Sequence, residues 1–168
     1  LGIVNYHETL ELMKSHIKSE NFKNEIWLLE HPPIFTLGTA ADKDHILNAK
    51  DIPVVQSDRG GEVTYHGPGQ IVIYFLLDVK NLDFGPKKLV LTLQNFIKDL
   101  LEEISIDCSF IEGAPGVYVK KKKIASVGLR ISKGKSYHGI SLNFDMDLSP
   151  FNQINPCGYK GLEVTQIK

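Results

Sequence analysis

From Ile71 to Leu77 the chain is apolar without a break. The run is far short of the eighteen or so residues a membrane span takes, and it has the length of a strand. A strand whose alternate side chains are all apolar is one covered on both faces. The rest of the chain must therefore supply cover on two sides. Tyr6, Leu10, Met13 and Ile17 recur at helical spacing, and Asn5 with Glu8 makes a capping-box pattern before them. Pro86 suits the first turn of a second helix, with Leu89, Leu93, Phe96, Ile97, Leu100, Leu101 and Ile104 as its apolar face.

Most of the remainder reads as strand. Residues 25–30 and 34–37 flank a turn at Pro32 and Pro33, and residues 137–144 form a late strand. Residues 116–120 and 123–132 read as a hairpin with lysines at its tip. Two helices among about seven strands, the late ones consecutive, specify an α+β fold: a mixed, largely antiparallel sheet with flanking helices. The 168 residues show no repeat, low-complexity tract or linker, so residues 1–168 are read as one domain.

The formal charge of −1 excludes a general nucleic-acid binder, which carries a basic excess. Cys108 and Cys157 are the only cysteines, without a CxxC pair or a histidine cluster at metal-ligand spacing. That usage fits a reducing, cytoplasmic compartment and a protein without metal or membrane partner. No secretory leader is read, although the chain begins at Leu1 and so bears little on its true start.

Three segments are candidates for chemistry. Residues 59–70 hold four glycines, a proline, Arg59, Tyr65 and His66 directly before the apolar run. Glycines let a backbone approach a ligand, though a surface turn would have the same composition. Pro156 and Gly158 place Cys157 in a turn, whereas Cys108 reads as a small buried hydrophobe in a strand after the second helix. A thiol there needs a basic partner to raise its thiolate fraction. Of the four lysines Lys120 to Lys123, the last leads into an apolar strand and can point its amine into a pocket. Residues 128–136 approximate a phosphate-binding loop, but the spacing is one residue too long and no helix follows. His7, His16 and His45 read as surface residues.

Taken in order, residues 28–33 with 36–38, 59–61 with 64–70, 123–128, 138–143 and 156–158 resemble the lipoyl(octanoyl) transferase family. The resemblance implies the α+β fold of biotin and lipoate protein ligases. It implies Cys157 as the acyl-thioester nucleophile and Lys123 as the residue that lowers its pKa. Arg59, Gly60, Gly61, Glu62, Val63, Thr64, Tyr65 and His66 would line the acyl site. So would Ser126, Val127 and Gly128 with Gly139, Ile140 and Ser141, and His31 and His66 would stand close to the reacting centre. It also implies an octanoyl donor on the phosphopantetheine of acyl carrier protein, and no ATP or metal. The implied acceptors are lipoyl domains of 2-oxo acid dehydrogenase complexes and the glycine cleavage H protein. A further terminal helix is expected after Lys168. Selection of the chain would come from an apolar pocket, where six methylenes contribute about 5 kcal/mol. The rival readings are an ATP-dependent ligase on the same fold, a non-catalytic module that binds lipoyl domains or acyl chains, and a papain-like hydrolase. Pro156-Cys157-Gly158 disfavours the first, and the histidine surroundings disfavour the last.

Overall fold

The computed structural model describes residues 2–49, 51–82 and 85–168, and of Cys157 the backbone alone. The elements follow in the order α1 (Tyr6–Lys18), β1 (Glu25–Leu29), β2 (Ile34–Leu37), β3 (Val54–Gln56), β4 (Val63–His66) and β5 (Gln70–Leu76). Then come α2 (Pro86–Glu103), β6 (Ser109–Ile111), β7 (Ala114–Val119), β8 (Lys122–Ser132) and β9 (Lys135–Asn143). Six strands form an antiparallel sheet in the order β1-β5-β9-β8-β7-β6, and β3-β2-β4 form a second sheet, in which β2 and β3 run parallel. The α+β class and the mixed, largely antiparallel pairing follow the expectation.

β5 carries the apolar run, and its alternate residues serve two cores. Ile73 and Phe75 pack with Leu89, Leu93, Ile97 and Leu101 of α2. Val72, Tyr74 and Leu76 pack with Tyr6, Leu10, Met13 and Ile17 of α1 on the other side. Asn5 caps α1 by accepting from the amides of His7 and Glu8, and Lys135 donates to the carbonyl of Ile17 near its C-terminus. Pro86 is the first residue of α2, whose missing amide costs nothing there. The buried stripe of α2 is narrower than its apolar arc. Phe96, Leu100 and Ile104 are exposed, because one side of a helix presents only about a third of its circumference to the sheet.

The second sheet is the larger departure from the sequence reading. β4 lies inside the glycine-rich segment, all four of its residues buried, and β3 is a short strand that the reading also missed, whereas β6 is the strand read after the second helix, beginning just past Cys108. A turn at residues 67–69 carries the chain from the second sheet into the first. Phe35, Leu37, Val63 and Tyr65 meet Met146, Phe151 and Ile154 in a third core. The loop resembling a phosphate site is the hairpin turn between β8 and β9, closed by the pair Ser132 and Lys135. Cys108 is buried in the α2 core but sits just before β6, not in a strand. His7 is exposed, whereas His16 and His45 are half-buried, His16 on the carbonyl of Lys23 and His45 on Glu62.

Candidate active site

The β7–β8 hairpin turns through Lys120 and Lys121, both at positive φ, and keeps their side chains in solvent. Lys122 is exposed and pairs with Glu163 at 3.1 Å. Lys123 is only 2 % exposed. A register shift turns it inward: Val117 pairs with Ala125 and Tyr118 with Lys123, leaving Ile124 as an extra residue. Ile124 and Ala125 both join the α2 core, so Lys123 falls to the opposite face, where it lines a cavity. Its Nζ donates to the carbonyl of Pro115 at 3.2 Å and stands 5.2 Å from the ring centre of Tyr118. The side chain lies across Gly116. A Cβ at 116 would come within 3.0 Å of Lys123 Cε and 2.6 Å of the Ala125 carbonyl, so glycine is what makes room.

The C-terminal segment is laced to the same place. The Lys123 amide donates to Glu163 O, and Lys123 O accepts from the Thr165 amide, each at 2.9 Å. Just upstream, Pro156–Gly158 form a 3-10 turn with proline at its first position, and the backbone of Cys157 is its middle residue. The turn is held by Asn155 N on the carbonyl of His45 at 2.8 Å and by Tyr159 N on that of Pro156 at 3.1 Å. Gly158 abuts Glu62, whose carboxylate accepts from His45 at 3.0 Å and from the amide of Asp42 at 3.2 Å. The expectation of a nucleophile falls on the Cys157 side chain, which lies outside the described residues.

The cavity has a volume of about 680 Å³. One wall is the β8–β9 pair, where Ser126, Val127 and Gly128 lie opposite Ser141, Ile140 and Gly139, residue for residue. The facing wall comes from Arg59, Gly60, Gly61, Glu62, Val63, Thr64 and His66. The Gly60 amide joins the two by donating to Leu129 O at 2.9 Å. Gly61 sits at φ +87°, so its role is the turn itself; a Cβ there meets only Arg59 Nη1, at 3.7 Å. Arg59 spends its guanidinium on the second sheet, donating to Thr36 O at 2.6 Å and Thr36 Oγ1 at 2.9 Å.

Two expected residues stand elsewhere. Tyr65 points into the third core, its ring 5.5 Å from those of Phe35 and Phe151, because strand alternation turns it away from Thr64 and His66. His31 is wholly buried one layer behind the wall, bridging Val4 O and the Tyr74 hydroxyl at 2.7 Å each. His66 bonds Gln70 Oε1 at 2.7 Å, and burial pushes its pKa down to about 3, with His31 next in effect. Burial likewise lowers His31. Both are neutral at pH 7.

The sequence reading missed Tyr6, Val72, Tyr74, Tyr159 and His138 in the lining. His138 is the informative one. It is 1 % exposed and holds φ +60° in the middle of β9, a left-handed conformation that costs a residue with a Cβ about 1–3 kcal/mol. Its Nε2 bonds Asp58 Oδ1 at 2.8 Å, while Tyr137 donates to Asp58 Oδ2 at 2.6 Å. The hydrogen bond from His138 holds the Asp58 carboxyl well below its usual range, and burial lowers His138 itself. A carboxylate only accepts, so the neutral ring carries its proton on Nε2 and presents a bare Nδ1. A histidine directly before Gly139, within the segment 138–143 that the resemblance already singled out, was the signal available in the sequence. No group of three or more His, Cys, Asp or Glu among the described residues could hold a metal, and none of the described helices is long and apolar enough to cross a membrane.

Known proteins are similar to this chain in sequence and in fold. Residues 5–168 match the lipoyl protein ligase A/B catalytic domain. An octanoyltransferase of Vesicomyosocius okutanii is 51 % identical over 169 residues, covering 99 % of this chain and 83 % of the relative. One from Marinomonas sp. is 52 % identical over 170 residues, covering 100 % and 79 %. Among solved structures, a bipartite lipoate protein ligase from Thermoplasma acidophilum superposes with a TM-score of 0.68 at 12 % identity, covering 98 % of this chain and 72 % of that one. Biotin protein ligase from Aquifex aeolicus gives 0.59 at 21 % identity, covering 99 % and 56 %. The distant structures fix the fold, and the close relatives fix the class of enzyme: the chain belongs to the lipoyl protein ligase A/B catalytic-domain family, as an acyltransferase of its octanoyltransferase branch.

Proposed function

We propose that this enzyme moves an octanoyl group from the phosphopantetheine thioester of acyl carrier protein to a lysine of a lipoyl domain, through a thioester on Cys157, in lipoate biosynthesis. The observation that carries the reading is the buried Lys123 amine on the cavity wall, tied through residues 163–165 to the segment that follows the Cys157 turn. A free thiol titrates near about 8.5 and is only a few per cent ionised at neutral pH. A cation beside it holds the thiolate, and a neutral amine takes its proton. The Cys157 sulfur then attacks the acyl carbonyl, the carbon–sulfur bond to phosphopantetheine breaks, and the departing thiolate is protonated. In the second step the neutral acceptor amine attacks the acyl-enzyme, Cys157 leaves as thiolate, and the proton that the nitrogen sheds as the amide forms passes to Lys123 or to that thiolate. Backbone amides of the Cys157 turn or of the glycine-rich loop would stabilise the oxyanion.

Thioester exchange is nearly neutral and amide formation runs downhill, so the reading requires neither ATP nor a metal. The acceptors we propose are the lipoyl domains of 2-oxo acid dehydrogenases and the glycine cleavage H protein, and a reducing cytoplasm suits the thiol. Intact mass measurement after incubation with octanoyl carrier protein tests it. The expected product is one added octanoyl mass, hydroxylamine-sensitive and absent in Cys157→Ser. An adduct that survives Cys157→Ser and disappears in Cys108→Ser would assign the wrong thiol. ATP–pyrophosphate exchange dependent on a free acid would instead make the enzyme a ligase.

A further inference from the structure

A second basic side chain, besides Lys123, stands at the Cys157 turn. The carbonyl of His45 accepts from the amide of Asn155, two residues before Cys157. Its ring lies on the other side of the same turn in sequence. A Cβ on Gly158, the residue after Cys157, would stand 3.2 Å from His45 Cε1 and as close to Cγ and Cδ of Glu62. The bare glycine lets an imidazole and a carboxylate close in on the turn together.

The two side chains form a pair. His45 Nδ1 stands 3.0 Å from Glu62 Oε2, which also accepts from the amide of Asp42 at 3.2 Å. A carboxylate only accepts, so the neutral ring carries its proton on Nδ1 and leaves Nε2 as a bare acceptor. Nε2 has no hydrogen-bond partner among the described residues and is not one of their fully buried polar atoms; the side chain is 26 % exposed. Lys123, at 2 % exposed, works from within the cavity wall, whereas His45 meets solvent. One ring nitrogen held by a carboxylate and the other open to take a proton is the arrangement of a general base.

Acyl transfer to an amine needs such a base. A lysine amine with an ordinary pKa of about 10.4 is neutral in roughly one molecule in a thousand at pH 7.5. Turning that ammonium into an amide releases two protons. One leaves as the amide forms and passes to Lys123 or to the Cys157 thiolate; the other must leave before the nitrogen can attack. We propose that His45, oriented by Glu62, takes this first proton from the acceptor lysine, an assignment that rests on the acyl-transfer reading above. The ammonium gives its proton to Nε2, the neutral nitrogen attacks the Cys157 thioester, and the imidazolium returns its proton to water. The first half-reaction begins from a thiol and makes no demand on His45.

Timing the two half-reactions apart distinguishes a base from a support for the turn. His45→Asn sets an amide nitrogen near the place of Nδ1, so it can still donate to Glu62, but it cannot take a proton. Acylation from octanoyl-pantetheine, and transfer from the isolated acyl-enzyme to a lipoyl domain, are each followed by intact mass at pH 7.5. The first rate is expected within about twofold of wild type and the second about a hundredfold lower. Hydroxylamine, already neutral at this pH, should strip the variant's acyl group at the wild-type rate. Glu62→Gln keeps an acceptor for Nδ1 without the charge and should slow transfer to the lipoyl domain by a smaller factor. Equal slowing of both half-reactions in His45→Asn would make the pair a support for the turn and overturn the proposal, as would transfer at the wild-type rate. A hydroxylamine rate that falls as far as the lipoyl-domain rate would overturn it too, because the defect would not lie in removing a proton from the amine. A wild type that forms no acyl-enzyme would overturn the acyl-transfer reading itself, and this proposal with it.

Discussion

β8 and β9 run side by side through the large sheet, and their two faces are built on opposite principles. Ala125, Val127, Leu129 and Ile131 on β8, with Ile140 and Leu142 on β9, pack into the α2 core. The residues between them include Ser126, Gly128, Gly139 and Ser141, all in the cavity lining, with Gly128 making room for Arg59 and the Gly60 carbonyl and Gly139 for the Ile73 carbonyl. One face fills volume and contributes stability; the other withholds side chains and hosts the site. Lys123 belongs to the second face only because of the extra residue at Ile124. The difference between the faces says where a substitution should register: in the stability of the fold on one, in the chemistry on the other.

The largest effect should come from Lys123. A buried amine contributes little to stability after its desolvation, so replacement by an apolar residue of similar length is neutral or stabilising. Lys123→Met should fold with an unchanged or higher thermal midpoint while the rate of acylation falls by about three orders of magnitude or more. Lys123→Arg should also be poor, because arginine keeps the charge but accepts no proton at working pH. Lys121→Ala, on the exposed turn, is the control and should leave the rate near wild type. Equal mild losses at all four lysines would reduce the run to a docking surface.

Leu101 breaks the comparison from the other side. It is wholly buried in the α2 core, and Leu101→Ala should cost about 2–5 kcal/mol in denaturant unfolding. Acyl transfer per folded molecule should be unchanged. A fall in specific activity at constant folded fraction would show that the filled face also shapes the cavity.

How much of this was legible in the sequence follows from which pattern each residue obeys. α1, α2, β5, β8 and β9 carry patterns that could be read from spacing alone, and the glycine-rich segment and Lys123, singled out in the sequence, line the cavity. β4 was hidden because four residues between glycines show no period, and with it was lost the alternation that sends Tyr65 away from the cavity. The inward turn of Lys123 depends on a register shift, a property of two strands together, although its place before an apolar strand was a usable hint. His138 looked like one more member of a motif because φ is not written in residue types.

The histidines of the cavity side give the third effect, a pH dependence that the filled face lacks. His66 titrates near 6.5 in the unfolded chain and at about 3 when folded. Between those values the unfolded state binds the extra proton, so stability is full above pH 6.5 and is lost as the pH falls toward 3. At pH 5 the loss is about 2 kcal/mol from His66 alone, and His31 and His138 shift in the same direction. Asp58, depressed by His138, adds a loss of the same sign only below about pH 4. Denaturant midpoints from pH 7.5 to 5 should show this slope, flattened in His66→Gln. A flat wild-type profile would mean that water reaches these rings.

The smallest effect is expected one residue from one of the largest. Leu100 was read as part of the same apolar face as Leu101, yet it is 38 % exposed where Leu101 is fully buried. Successive residues on a helix point about 100° apart, and the sheet covers only one of these two directions. Leu100→Gln removes little apolar area from the folded core and keeps a straight-chain residue of good helix propensity. Its unfolding free energy should stay within about 0.5 kcal/mol of wild type, and its acylation rate should not change. A loss comparable to that of Leu101→Ala would mean that the stripe on α2 running from Phe96 through Leu100 to Ile104 is covered in solution, and the contrast between a filled face and an open one would then have to be redrawn to include it.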